Sequence, residues 1–376
     1  MPRESPAITA GRCGFRLGTF SRTDALSAPA LFVGLVRNDQ VIDLNACAAL
    51  PGELPDAWRD LSMLTLLADW ARNLPILQRL ADSFDNGSAW QIQSLSLASL
   101  TLHSPLIPRQ IFCTIGNYRQ QTIEAAVDAA LARGLASADV ESIRAHTAHA
   151  IAERTRNGAP YVCAKLPSTV TAANTPVGLP AHIQQADWEV ELGVVIGRPA
   201  RHVDRKEALS YVAGYTLVND ITIREQVFRS DLPAMGTDWL QSKGAPGFLP
   251  VGPYLLPANQ IADPHNLRLV LRLNGEVMQD ETTADMIFDI ARQIEYISRH
   301  AQLWPGDLIC TGSPAGFGAH HGRFLTPGDV IETSIEGFGS QRTLFVKESF
   351  AQESTGNESF ANERSKNEDF VEGEKP

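Results

Sequence analysis

From about Gly14 to Asn45 apolar and polar positions alternate in short runs, FRLGTF, ALFVGLV and QVIDL, with turn residues between them. A period of two sends successive side chains to opposite faces, so this stretch predicts a small antiparallel sheet. Leu64, Leu67, Trp70 and Ala71 then recur at helical spacing. Together they predict a small N-terminal α+β domain over residues 1–104, with no constellation of catalytic side chains in it. From Pro105 longer apolar runs take over, such as ELGVVIG, YVAGYTLVND, LRLVLRLNG and GDLICTG, with Gly and Pro between them. A single strong late helix is expected, roughly Ala284 to His300. This texture predicts a β-rich sandwich or roll over 105–347 rather than a doubly wound parallel sheet.

Residues 119–158 break that plan. RQQTIEAAVDAALARG and SADVESIRAHTAHAIAERTRNG are two helical patterns meeting near Gly134, with Ile123, Val127 and Ala130, then Ile143, Ala150 and Ile151, on one face of each. They predict a helical hairpin laid over the β core as a lid. After Lys347 the chain becomes a Glu-led pentad array beginning at Glu348, Glu353, Glu358, Glu363 and Glu368. A period of five matches neither helix nor strand, so residues 348–376 are expected to be a disordered acidic tail.

Composition narrows the function classes. Over 376 residues the net charge is −11, with 44% hydrophobic and 20% charged residues. That describes a folded protein ill suited to neutralising phosphates or anionic lipids, so neither nucleic acid nor membrane is expected as a partner. The five cysteines, Cys13, Cys47, Cys113, Cys163 and Cys310, are far apart in sequence and form no CxxC pair. Buried thiols are expected, not a disulfide framework or a zinc site. The N-terminus has no apolar signal core, and the expected compartment is the cytoplasm.

The chemistry concentrates in DWEVELGVVIG. As a strand it puts Trp188, Val190, Leu192, Val194 and Ile196 on one face and Glu189 with Glu191 on the other, where Gly193 and Gly197 are expected to clear space. Two carboxylates at roughly 6 Å and an effective dielectric near 20 repel by about 3 kcal/mol, so the pair should share a cation or a proton, or lie open to solvent. A second expected strand ends in Asn219-Asp220. A third carboxylate there would complete an all-oxygen site for Mg²⁺, Mn²⁺ or Ca²⁺ rather than Zn²⁺.

The motif order GNY (Gly116 to Tyr118), KLPS (Lys165 to Ser168), DWEVELGVVIG, GYTLVNDITIR (Gly214 to Arg224), Lys243 before GFLPVGP, NGEVMQ, DMIFDI and PGDLICTGSPAGFG resembles the fumarylacetoacetate hydrolase superfamily from about Pro105 to Phe345. The N-terminal domain resembles the extra β domain of many bacterial members. The resemblance implies a mixed β-sandwich roll, usually a homodimer, acting on a small 2-oxo or 1,3-dioxo acid with Mg²⁺ or Mn²⁺. It places the metal on Glu189, Glu191 and Asp220, an active-site lysine at Lys243, and substrate contacts at Thr311 and Gly312. Arg224 matches an arginine that follows the aspartate ligand and could equally be a structural partner for a carboxylate, and Tyr118 is expected among the substrate contacts that shape the pocket.

One position departs from the pattern. The family often writes NYxxHxxE, and NYRQQTIE carries Gln121 where the histidine belongs while keeping Glu124. Glutamine is no base near neutral pH. His146 and His149 of the lid, or His320 and His321 after PAGFG, are reserve candidates. The leading expectation is hydrolysis of a C–C bond in an acylpyruvate-like acid, with Lys243, Glu124 and Gln121 at the reacting centre. The alternatives are a decarboxylase, hydratase or isomerase of a related acid, or an inactive metal-binding paralogue.

Overall fold

The computed structural model describes residues 14–23, 30–47, 55–86, 93–134 and 139–348. The pentad array beyond Glu348, expected to be disordered, lies outside the described residues. The chain opens with β1 (Arg16–Arg22), β2 (Phe32–Arg37), β3 (Gln40–Asp43), α1 (Leu44–Cys47), α2 (Met63–Ala68), α3 (Trp70–Asn86), β4 (Ser94–Ser96) and β5 (Leu100–His103). These strands form an antiparallel sheet in the order β4-β3-β2-β1-β5, as the alternation predicts.

Next come β6 (Ile111–Ile115), the helical hairpin α4 (Arg119–Ala132) and α5 (Val140–Asn157), β7 (Tyr161–Lys165), β8 (Val170–Ala172), β9 (Val177–Leu179), β10 (Ala186–Asp187), β11 (Val190–Ile196), β12 (Val212–Asn219) and β13 (Thr222–Ile223). Then follow α6 (Trp239–Lys243), β14 (Leu249–Val251), β15 (Leu256–Pro257), β16 (Arg268–Leu273), β17 (Glu276–Thr282), α7 (Ile290–His300), β18 (Leu308–Cys310), α8 (Gly318–His321), β19 (Val330–Ile335) and β20 (Gly339–Lys347). An eight-stranded mixed sheet runs β7-β6-β18-β11-β12-β14-β8 with β15 beside β12, and a five-stranded sheet runs β17-β16-β19-β20-β9. The architecture is the α+β, β-rich roll that the long apolar runs imply.

Both faces of the central strands are covered, which explains runs such as ELGVVIG. Val190, Leu192, Val194 and Ile196 of β11 join Leu269, Leu271 and Ile331 of the second sheet in one cluster. On the other face Val195, Ala213 and Val218 join Leu17, Leu35, Trp58 and Leu67 of the N-terminal region. Backbone bonds between Leu17 and Leu255, at 2.9 and 2.8 Å, tie the first sheet to the rest. The glycines expected to clear space beside the carboxylates serve packing instead: a Cβ on Gly197 would stand 2.8 Å from the Ala213 Cβ.

Two helical expectations shift in detail. The late helix starts at Ile290, not Ala284, because Asp289 caps it by accepting from the Arg292 N–H at 2.8 Å, while Thr283–Asp285 form a separate 3-10 turn and the Ile287 N–H donates to the Asn117 carbonyl at 2.7 Å instead of continuing a helix. In the hairpin Val127 and Ile151 are buried, but Ala150 is exposed, so the apolar face is narrower than its spacing suggests. Ile151 packs with Ile287, Phe288 and Ile123 in a small separate cluster. Arg292 of α7 donates to the carbonyls of Thr155 and Gly158 at the end of α5, where a helix dipole favours a cation. No described helix is long and apolar enough to cross a membrane.

Candidate active site

The ends of β11 and β12 bring three carboxylates together. Glu189 leads into β11, Glu191 lies within it, and Asp220 follows β12; the antiparallel register pairs Val190 with Asn219 and Glu191 with Val218. Each residue offers a carboxylate oxygen, and these oxygens lie within 4.8 Å of one another. Backbone and side-chain bonds fix the junction. Asp220 N–H donates to the Glu189 carbonyl at 2.8 Å, and Glu189 N–H donates to Asn219 Oδ1 at 2.9 Å. The trio expected from sequence is therefore one cluster in space.

Two lysines close on it. Lys243, at the end of α6 and 1% exposed, donates to Glu189 Oε2 at 3.0 Å, Asp220 Oδ2 at 2.5 Å and Thr222 Oγ1 at 2.7 Å. Lys165 of β7 donates to Asp220 Oδ1 at 2.6 Å and to the Phe248 carbonyl at 2.8 Å. Burial works against the Asp220 charge, yet the two lysines hold its carboxyl well below the usual carboxylate range. Burial likewise opposes the Lys243 ammonium, and Asp220 with Glu189 holds it well above the ordinary lysine value. Lys165 was legible only as part of KLPS; what the sequence could not show is that β7 aims it at the end of β12.

Glu191 behaves differently. Its Oε2 accepts the Gly312 N–H at 2.7 Å, but burial first, and then Asp220 and Glu189, push its carboxyl well above the ordinary range. A divalent cation would remove that penalty, and three convergent carboxylates are the donor set of a hard ion. Arg224 donates from Nε to Asp187 Oδ2 and forms an ion pair through Nη2 with Glu189 Oε1, both at 2.7 Å, so it is the carboxylate partner left open in the sequence. With all four carboxylates ionised, Asp187, Glu189, Glu191 and Asp220 against Lys165, Lys243 and Arg224 leave one net negative charge. A dication turns this to one net positive, the sign that receives an anionic acid.

A cleft of about 50 Å³ opens beside the cluster, lined by Gln121, Glu189, Arg224, Trp239, Lys243 and Ser313, among others. Gln121 Oε1 is buried there and has no hydrogen-bond partner among the described residues. Glu124 stands one turn further along α4, where its Oε2 accepts the Gly316 N–H at 3.1 Å, fastening α4 to the PAGFG loop. That loop is fixed from below by Gln279, which accepts the Val190 N–H at 3.1 Å and donates to Ser313 Oγ at 3.0 Å and the Pro314 carbonyl at 2.8 Å.

Some expected contacts lie elsewhere. The Thr311 hydroxyl donates to the Leu192 carbonyl at 2.8 Å and the residue is fully buried, so Ser313 is the side chain of TGSPAGFG that reaches the cleft. The Gly312 N–H is occupied by Glu191, and Tyr118 is wholly buried in the core. None of the reserve histidines lines the cleft: His146 and His149 face solvent, His321 is exposed, and His320 pairs with Asp128 of α4 at 2.9 Å.

A family model described as fumarylacetoacetate (FAA) hydrolase C-terminal matches residues 110–346. The chain is 43% identical over 186 residues to 2,4-didehydro-3-deoxy-L-rhamnonate hydrolase from Sphingomonas sp. (strain SKA58), covering 49% of this chain and 64% of that protein. It is 37% identical over 182 residues to the human mitochondrial oxaloacetate tautomerase FAHD2B, covering 48% and 57%. The chain thus spans roughly three fifths of the length of these curated relatives. Among solved structures, the fold is shared with fumarylacetoacetate hydrolase from Exiguobacterium antarcticum, at TM-score 0.63 and 23% identity over 89% of this chain and 100% of that one. Maleylpyruvate hydrolase from Sphingobium sp. SYK-6, described in complex with manganese(II) and pyruvate, matches at TM-score 0.62 and 24% identity over 89% and 100%.

Proposed function

This chain belongs to the fumarylacetoacetate hydrolase family, and from that premise we propose that it is a divalent-metal-dependent enzyme interconverting the keto and enol forms of a small 2-oxo dicarboxylic acid. The observation that carries the reading is the carboxylate trio held by Lys165, Lys243 and Arg224 at a cleft whose lid contributes Gln121 instead of an imidazole. Mg²⁺ or Mn²⁺ on Glu189, Glu191 and Asp220 supplies Lewis acidity toward the oxygens of a chelating acid.

The protein's own groups do the rest. Lys243 keeps its proton on Nζ, and its three N–H groups meet Glu189, Asp220 and Thr222; its fixed positive charge, and a donor released if one of those carboxylates turned to a cation, would stabilise an enolate oxygen. Gln121 can donate and accept at a substrate oxygen but cannot take a proton from water. Keto–enol interconversion needs no nucleophilic water, only a carrier for the proton that leaves carbon and reaches oxygen, for which Glu124, one turn from Gln121, is the carboxylate at hand, whereas C–C hydrolysis needs an activated water as well. Similarity to the oxaloacetate tautomerase supports this reading. Hydrolysis of an acylpyruvate-like acid is the second reading, favoured by the Sphingomonas hydrolase and by the retained Glu124.

The test is direct. With Mg²⁺ or Mn²⁺, the purified protein should accelerate decay of the oxaloacetate enol absorbance while cleaving acylpyruvates only at a low residual rate, and chelation or Glu191→Ala should abolish the activity. Cleavage of acylpyruvates without enol decay establishes the second reading; no turnover of either substrate sinks both. Gln121→His restores an imidazole one turn from Glu124 and is expected to raise acylpyruvate cleavage by roughly 10²-fold, within the range of a positioned general base.

A further inference from the structure

We propose that Cys113 and Cys163 form a dithiol site that hydroperoxides convert to a disulfide, beside the carboxylate cluster but chemically separate from it. Three thiols that are far apart in sequence fall into register on neighbouring strands. Cys163 of β7 stands directly opposite Cys113 of β6, and Cys113 stands opposite Cys310 of β18. All three are free thiols. Cys113 lies within hydrogen-bonding reach of both neighbours, whose donated bonds lower it below the ordinary thiol value.

Position selects one pair from the three. Cys163 is partly exposed, whereas Cys113 and Cys310 are buried, so an oxidant reaches the row from the β7 end. On β7 the period of two sets Cys163 between Tyr161, whose hydroxyl accepts from Trp239 Nε1 at 3.0 Å, and Lys165, which holds Asp220. Trp239 lines the cleft, so Tyr161, two residues before Cys163 on the same strand, ties β7 to the cleft's rim. Directly opposed residues of antiparallel strands have Cα separations of about 4.5–5.5 Å, inside the window of about 4.4–6.8 Å that a disulfide spans. Because Cys163 and Cys310 flank Cys113 on adjacent strands, the sulfurs form a row and not the closed cage of a thiolate metal site.

The chemistry balances with a hydroperoxide as oxidant. The bond to Cys113, and then burial, push the Cys163 thiol up, so its proton first passes to the Cys113 sulfur; the Cys163 sulfur then attacks the peroxide, an S–O bond forms as the O–O bond breaks, and that proton moves on from Cys113 to the departing alkoxide or hydroxide. Cys113 then attacks the sulfenic sulfur, an S–S bond forms, and hydroxide leaves with the remaining thiol proton as water. Two thiols lose two electrons and one peroxide is reduced.

The full chain, treated with hydrogen peroxide, denatured in alkylating agent and mapped by peptide mass, is expected to lose both alkylated Cys113 and Cys163 and to yield their peptides joined. The joined species should vanish with dithiothreitol, persist in Cys310→Ala, and disappear in Cys163→Ser. The same map is expected with and without added Mg²⁺, so it stands independently of the proposed catalysis. Recovery of Cys113 and Cys163 as unmodified thiols, their conversion only to sulfinic or sulfonic acids, or a link made instead through Cys310 overturns the proposal, and the wild-type map alone decides if a variant fails to fold.

Discussion

Lys165 and Lys243 both bond Asp220, yet their removal should read out differently. Lys165 touches only Asp220 and backbone carbonyls, so Lys165→Met chiefly leaves a buried carboxylate short of a partner. A loss of about 3 kcal/mol in urea-unfolding free energy is expected. Lys243 faces the cleft, and Lys243→Met should lower kcat by roughly 10²–10³-fold in the enol-decay assay. Asp329 gives a pH signature away from the site. Although partial burial opposes its charge, it accepts from Asn274, from the Thr326 N–H and hydroxyl, and from Arg323, which together hold its carboxyl below 3.8. Folded Asp329 therefore binds its proton more weakly than the unfolded chain does. Its contribution is fully present above about 3.8 and fades as pH falls toward the folded value. The gap between wild-type and Asp329→Asn unfolding midpoints should be widest near neutrality and close in acid.

At the scale of elements, the site is made by loops that strands hold in place. Gly316 has φ +88°, and a Cβ there would stand 2.0 Å from the Met278 carbonyl oxygen. Gly316→Ala must displace the PAGFG loop or β17, and the Gly316 N–H would lose Glu124. Activity is expected to fall at least about tenfold, with a lower melting temperature and weaker protection of α4 in hydrogen exchange. Asn117 plays the matching role for GNY. It donates to the carbonyls of Phe288 and Thr311 at 3.1 and 2.8 Å and accepts from the Phe288 N–H, tying β6 to the start of α7 and the end of β18. These motifs were legible in the sequence as motifs. Their partners were not, because each bond joins residues more than 150 positions apart.

For the whole molecule, the carboxylate cluster links metal binding to stability. A dication at a free concentration of 100 Kd stabilises the fold by about 2.7 kcal/mol, so Mg²⁺ or Mn²⁺ should raise the melting temperature measurably. Glu191→Gln should abolish that rise while stabilising the metal-free protein, since ionising Glu191 there works against burial and two flanking carboxylates. The amino-acid sequence by itself determined the alternation that gives the first sheet, the continuous apolar runs of the central sheet, the hairpin of α4 and α5, and the Glu189–Glu191 pair on one strand face, because these are set by local periodicity, while Asp220 was assigned to that pair by the family resemblance and brought to it by strand register. Only tertiary structure decided which cations face the trio, that Thr311 turns inward while Ser313 reaches the cleft, that the reserve histidines point away, and that three distant cysteines align. Periodicity specifies the face on which a side chain stands, but strand order and register across the sheet specify what stands opposite it.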